Sequence, residues 1–109
     1  MTLLEKLRRS REFKVPVNGH NFTARRPTAL EALSLSESSI ADLAVKFVIG
    51  WDLRELDVIA GGGPEPAPFD AETWAAWVAD KPKLWTPIGQ AVLDAFTSHQ
   101  AAQGAAEKN

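Results

Sequence analysis

The sequence predicts a small single α+β domain, an N-terminal β-hairpin packed on a bundle of about four helices. Three observations predict it. Asn18-Gly19 stands between two stretches of alternating apolar and polar residues, the pattern of a two-residue turn joining paired strands. Ile40, Leu43, Ala44, Phe47, Val48 and Trp51 recur at helical spacing and draw one apolar stripe. Phe69-Asp70-Ala71-Glu72-Thr73-Trp74 combines an N-cap, an early acid and the two hydrophobic-staple positions, which together mark a helix start.

A chain of 109 residues, 45% apolar and 24% charged, has enough apolar side chains for one modest core and too many for wholesale disorder. The absence of Cys removes disulfides, thiolate metal sites and a Cys nucleophile, and fits a reducing compartment. No apolar run approaches the roughly 18 residues of a membrane span. The opening MTLLEKLRRSREF places its basic residues after a short apolar patch, the reverse of a secretory signal. A soluble cytoplasmic protein with no membrane partner is the expectation. Charge is uneven. Residues 1–27 carry seven basic against two acidic side chains, and the remainder five against twelve. A basic end on an acidic body suits nucleic acid or an acidic partner, and equally a solvated helix face. No aromatic residue interleaves with Arg8, Arg9 and Arg11, so single-stranded nucleic acid is not the expected ligand.

The elements follow in order. Thr2 and Glu5 have capping-box spacing ahead of Leu3, Leu4 and Leu7, which gives a short first helix from Leu3 to Ser10, stable only when docked. Phe13, Val15 and Val17, then His20, Phe22 and Ala24, alternate as strands across residues 12–26. Pro16 lacks a donor, so its strand is an edge. Thr28 and Glu31 repeat the capping-box spacing, predicting a short helix over about 29–35 with Leu30 and Leu33 inward. The central helix follows over about 36–50, with Ser36 a candidate cap, Asp42 and Lys46 paired off the stripe, and Trp51 closing its lower edge. Asp52 to Ile59 fits a helical extension or a short strand, and the Gly61-Gly62-Gly63-Pro64 run with Pro66 and Pro68 is a loop. Prolines in place of a Lys-Ser/Thr pair argue against a phosphate loop there. A helix over about 70–79 turns Trp74, Trp77 and Val78 inward. After a turn at Asp80-Lys81-Pro82-Lys83, Thr86-Pro87 reads as the cap and first position of a last helix over about 86–98. The domain therefore spans 1–97, and residues 98–109, which lack an apolar face, form a flexible tail.

No catalytic constellation is visible. Asp52, Glu55 and Asp57 read as hydrated surface, because acid–base pairs need burial to separate their pKa values. His20 reads as a turn residue and His99 as a tail residue; they stand far apart with no metal-ligand spacing. Ser34, Ser36, Ser38 and Ser39 are explained by helix-start chemistry. The chain is expected to be non-catalytic, without cofactor or metal. Four tryptophans are more notable. Trp51, Trp74, Trp77 and Trp85 are too many for so small a core to hide completely, and partly exposed Trp is favoured at binding surfaces. All four are candidate protein-contact residues.

FTARRPTALEAL leaving the hairpin, VIGW ending the central helix, the Gly/Pro linker and PFDAETWAAWVADKPKLWTPIGQAVLDAF resemble the tail assembly chaperones of long-tailed bacteriophages and related prophages. The resemblance covers about Phe22 to Phe96; Asp52-Leu53-Arg54-Glu55 departs from it, standing where a small Gly-containing turn is expected. It implies a protein of the bacterial host cytoplasm that binds the tape-measure protein and tail-tube subunits during tail assembly, with self-association possible, and that is absent from the mature virion. It also implies a longer frameshifted product. Glu107-Lys108-Asn109 can be encoded GAA-AAA-AAC, which holds a run on which ribosomes slip. The alternatives are a structural adaptor that stays in the tail and a nucleic-acid-binding module using the basic N-terminal segment.

Overall fold

The computed structural model describes residues 1–107. Its sheet has three antiparallel strands in the order β1-β2-β3. Strand β1 (Glu12–Val17) and strand β2 (His20–Arg25) form the expected hairpin, with Val15 opposite Phe22 and Val17 opposite His20. Asn18 and Gly19 join them at φ 50° and 82°, left-handed values that match the turn to the strands' own twist. Pro16 is exposed on β1, an edge strand, where the lost donor is tolerated.

The third strand corrects the expected central helix. The stripe divides into helix α3 (Ile40–Phe47) and strand β3 (Val48–Trp51). Trp51 pairs with Phe22 and Gly50 with Thr23, and the register shifts between Thr23 and Ala24. Two causes act together. Val48 and Ile49 are β-branched and favour extended backbone. The open edge of β2 offers unpaired donors and acceptors. The helix starts at Ser39, not Ser36. Ser39 Oγ accepts from the Asp42 N–H, and Asp42 Oδ2 accepts from the Ser39 N–H.

Helix α1 (Leu3–Arg9) is capped by Thr2 and contains no buried residue. Helix α2 (Ala29–Ala32) is one turn long, with the Thr28–Glu31 capping box in place, and a 3-10 turn follows at Leu35–Glu37. The expected inward placement of Leu30 and Leu33 fails, since both are 78% exposed. Arg25 accounts for this. Its guanidinium holds the Glu31 carboxylate by two hydrogen bonds of 2.7 and 2.9 Å, and turning Glu31 toward the sheet turns its helical neighbours outward.

Residues 52–68 form a closed loop. Helix α4 (Glu55–Val58) occupies one limb. The Glu55 N–H donates to the Glu65 carbonyl and the Ala67 N–H to the Leu53 carbonyl, each at 2.9 Å. Leu53 anchors the loop in the core. Helix α5 (Ala71–Val78) starts where expected, with Asp70 Oδ1 accepting from the Thr73 N–H at 2.8 Å.

Helix α6 (Pro82–Glu107) is longer at both ends than expected. Leu84, Ile88, Val92 and Phe96 are buried at four-residue spacing, so the stripe begins one turn earlier than Thr86-Pro87. Pro82 takes the first helical position, where a missing donor is harmless, and Pro87 lies inside the helix. Residues 98–107, expected as flexible tail, continue the helix. Ala101, Ala102, Gln103 and Ala105 are favourable helix formers that extend a nucleus already docked. Lys108 and Asn109, the end of the proposed frameshift run, lie outside the described residues.

The core lies between one face of the sheet and helices α3, α5 and α6. Trp74, Phe22, Phe47, Leu53 and Ile88 are its largest wholly enclosed members. Helix α6 crosses α3 at Gly89, where a Cβ would stand 2.3 Å from the Ile40 carbonyl oxygen. Only glycine permits that approach.

Candidate functional site

The four tryptophans separate by what their indole N–H groups do. Trp74 is wholly buried and donates to the Ala44 carbonyl at 3.1 Å. Ala44 is in the last turn of α3, where carbonyls have no intrahelical partner. Trp85 donates to the Val78 carbonyl at 2.7 Å, a second bond beside that from the Lys81 N–H at 2.9 Å, and so ties α6 to the end of α5. Trp51 donates to the Ala67 carbonyl at 2.8 Å and ties β3 to the closed loop. These three side chains are structural fasteners. Trp77 is partly exposed, and its N–H has no protein acceptor among the described residues. Of the four candidate contact residues, Trp74 is buried, Trp51, Trp77 and Trp85 each keep part of their surface exposed, and Trp77 is the one whose N–H is left for another molecule among the described residues.

Trp77 ends an aromatic chain that begins in the core. Phe22 lies 5.5 Å from Trp74, Trp74 lies 6.0 Å from Trp77, and Trp51 meets Trp77 edge-on at 6.1 Å. Phe69 closes the other side of Trp51 at 5.2 Å. Offset and edge contacts of this kind fix ring orientation beyond simple burial. Trp77 is thus held rigid from behind and presented to solvent. Lys81 Nζ sits 5.6 Å from its ring centroid, within cation–π range.

A cleft of about 390 Å³ opens on one side of Trp77, between the hairpin turn and the α5–α6 corner. Val17, Phe22, Trp77 and Leu84 give it an apolar floor, and His20, Asp80, Lys81 and Lys83 supply its polar lining. A second cleft, also about 390 Å³, lies on the other side and includes Val58, Ile59, Ala76 and Trp77. Ile59 there is 61% exposed. The two clefts share Trp77, Asp80 and Lys81, so the indole forms a ridge between them. An apolar, largely pre-formed surface with few polar groups suits an apolar protein segment.

The structure also brings together residues that the sequence reading kept apart. His20 Nδ1 lies 3.4 Å from Asp52 Oδ1, and His20 Nε2 lies 3.9 Å from Asp57 Oδ1. Asp52 Oδ2 accepts from the Asn21 N–H at 3.0 Å. Pairing of Phe22 with Trp51 causes the contact, because the start of β2 and the residues just after β3 then become neighbours. The signal was a third strand at Val48–Trp51, hidden under a helical stripe. The Asp57 carboxyl is held below its ordinary range, first by the hydrogen bond from the Arg54 backbone N–H and then by the charges of Arg54 and His20. The His20 and Asp52 side chains are 36% and 46% exposed. Water screens a pair this open, and it fastens the hairpin turn to the closed loop at the mouth of the groove. Among the described residues no group of three His, Asp or Glu is placed to hold a metal, and no helix is long and apolar enough to cross a membrane.

A scan against protein-family models, a search of curated proteins and a search of solved structures each returned no match to this chain.

Proposed function

We propose that this protein is a tail assembly chaperone of a long-tailed phage or prophage, acting without catalysis in the host cytoplasm. Its task in this reading is to cover apolar helical faces of the tape-measure protein until tail-tube subunits displace it. The observation that supports the reading is Trp77, a rigidly backed indole with an unused N–H, set as a ridge between two apolar clefts. One helical segment laid across that ridge places side chains at i and i+3 or i+4 in the two clefts, as in helix-in-groove recognition. Aromatic anchors of this type carry a disproportionate share of interface energy. The sequence resemblance over Phe22–Phe96 supplies the identity of the partner.

Co-expression with the tape-measure protein that this reading requires tests the proposal. The expected result is a soluble complex with the wild-type chain and loss of partner solubility with Trp77→Ala. A partner equally soluble with and without this chain overturns it. Mass spectrometry of purified particles tests the expected absence from the virion, and finding the protein there favours a resident tail adaptor.

A further inference from the structure

A second surface, on the far end of the fold from Trp77, is built around arginines. Arg11 and Arg26 are neighbours, tied through the Arg26 N–H and the Arg11 carbonyl at 2.9 Å. Neither lies within 4 Å of a carboxylate among the described residues. Arg11 Nε is enclosed and has no hydrogen-bond partner among them. Burial and the neighbouring Arg11 charge both lower the pKa of Arg26. The acids nearby do not relieve this: Glu31 is consumed by Arg25 and the Thr28 N–H. Glu12 lines the adjoining cleft without pairing to Arg8 or Arg11. Two like charges packed together, one with an orphaned donor, are costly unless an anion joins them.

Space for that anion exists on both sides of Arg11. One cleft of about 410 Å³ holds Arg8, Arg11 and Arg25 against Glu12 and Glu31, so its charges are mixed. Another of about 340 Å³ contains Leu7, Arg11, Arg26, Phe96, Gln100 and Gln103. Beside them Leu3, Leu4 and Leu7 are 82%, 54% and 49% exposed on α1, a helix that buries nothing of its own. The guanidinium fork matches a carboxylate or phosphate by paired hydrogen bonds. The leucines decide the source. A nucleic-acid backbone gains nothing from an exposed leucine row, and no aromatic residue in α1 offers a stacking platform.

We propose that Arg11 and Arg26, with Leu4 and Leu7, form a docking site for an acidic amphipathic segment of a partner protein. A carboxylate of that segment bridges the two guanidinium groups, and its apolar face covers α1. The site is separate from the Trp77 ridge and does not depend on the chaperone reading.

The test uses the full chain and a fluorescein-labelled, capped helical peptide of about four turns, with Leu along one face and Glu beside it. Anisotropy is expected to rise to saturation. Replacing every Glu of the peptide by Gln, or using Arg11→Gln/Arg26→Gln, is expected to weaken binding about tenfold or more. Arg8→Gln and Leu4→Asn, both on a helix without buried residues, provide variants that keep the fold, and each is expected to weaken binding severalfold. Equal binding of the Gln peptide overturns the proposal, as does unchanged affinity in Leu4→Asn. Arginine-dependent binding of a labelled DNA duplex in place of the peptide also overturns it. So does an arginine-dependent dimer in light scattering that the peptide fails to displace.

Discussion

Replacing Gly89 by alanine puts a methyl carbon 2.3 Å from the Ile40 carbonyl oxygen, 2.7 Å from Ile40 Cγ2 and 3.1 Å from the Ile40 carbonyl carbon. Two opposing effects follow. Alanine is the better helix former by about 1 kcal/mol. Against that, the obstacle is backbone in the first turn of α3, which has no rotamer to change. Relief requires α3 and α6 to separate by about 1 Å, and a gap of that size forfeits a quarter to a half of each dispersion contact it opens. Overpacking of this kind costs about 3 kcal/mol, for a net loss of about 2 kcal/mol. In a domain of this size that lowers the melting temperature by about 8–16 °C. Gly104 supplies the internal comparison. It lies in the same helix, and a Cβ there meets nothing within 4 Å. Gly104→Ala is expected to hold or raise the melting temperature, measured by circular dichroism under the same conditions. Equal shifts in the two variants, or a gain for Gly89→Ala, refute the close-approach argument.

Other perturbations follow from the same geometry. The Arg25 guanidinium, with help from the Thr28 N–H, lowers the Glu31 carboxyl from 4.5 to about 2. A depressed carboxylate stabilises the fold above its unfolded pKa and loses that contribution as pH falls toward the folded value. Wild-type stability is therefore expected to drop between about pH 4.5 and 2 by about 1 kcal/mol beyond that of Glu31→Gln, and superimposable profiles of the two proteins refute the pairing. Trp74→Ala removes the largest enclosed side chain and the Ala44 carbonyl's donor, and is expected to cost about 3–5 kcal/mol. Since small domains hold about 5–15 kcal/mol, a urea titration should find it near unfolding. Trp85→Phe keeps a ring but removes one of the two donors to the Val78 carbonyl, leaving the Lys81 N–H at 2.9 Å, with an expected loss of about 1 kcal/mol in the same titration. Trp77→Ala removes a half-buried ring packed on Trp51 and Trp74 and is expected to cost about 1–2 kcal/mol in the same titration, less than Trp74→Ala, while abolishing partner capture.

How far the sequence was legible depends on whether the signal was local. The Asn18-Gly19 hairpin, the Thr28–Glu31 box and the Asp70 start of α5 are set by residues within a few positions of one another, and all stand where expected. Val48 to Trp51 carried two compatible patterns. Helical spacing continued through Val48 and Trp51, while the strand depended on an edge of β2 far away in sequence. Missing that pairing hid the approach of His20 to Asp52 and Asp57. Leu30 and Leu33 misled for a related reason, since a polar contact from Arg25, not apolar periodicity, decides which way α2 faces. Among the tryptophans, side-chain type marked all four alike. The distinction between Trp77 and the rest lies in carbonyl partners that no spacing rule reveals.

The indole hydrogen bonds also give the molecule its own set of proton-exchange clocks. Trp74 and Ala44 stand thirty residues apart, Trp51 and Ala67 sixteen, and Trp85 and Val78 seven. Each indole proton exchanges with solvent only when its particular joint opens, so the three rates read the opening of the α3–α5 contact, the closed loop and the α5–α6 corner separately. The Trp77 proton, with no joint to protect it, exchanges fast in the free protein and slows only when something else accepts it. Four resonances in a nitrogen-correlated spectrum thus report on three internal hinges and one external encounter.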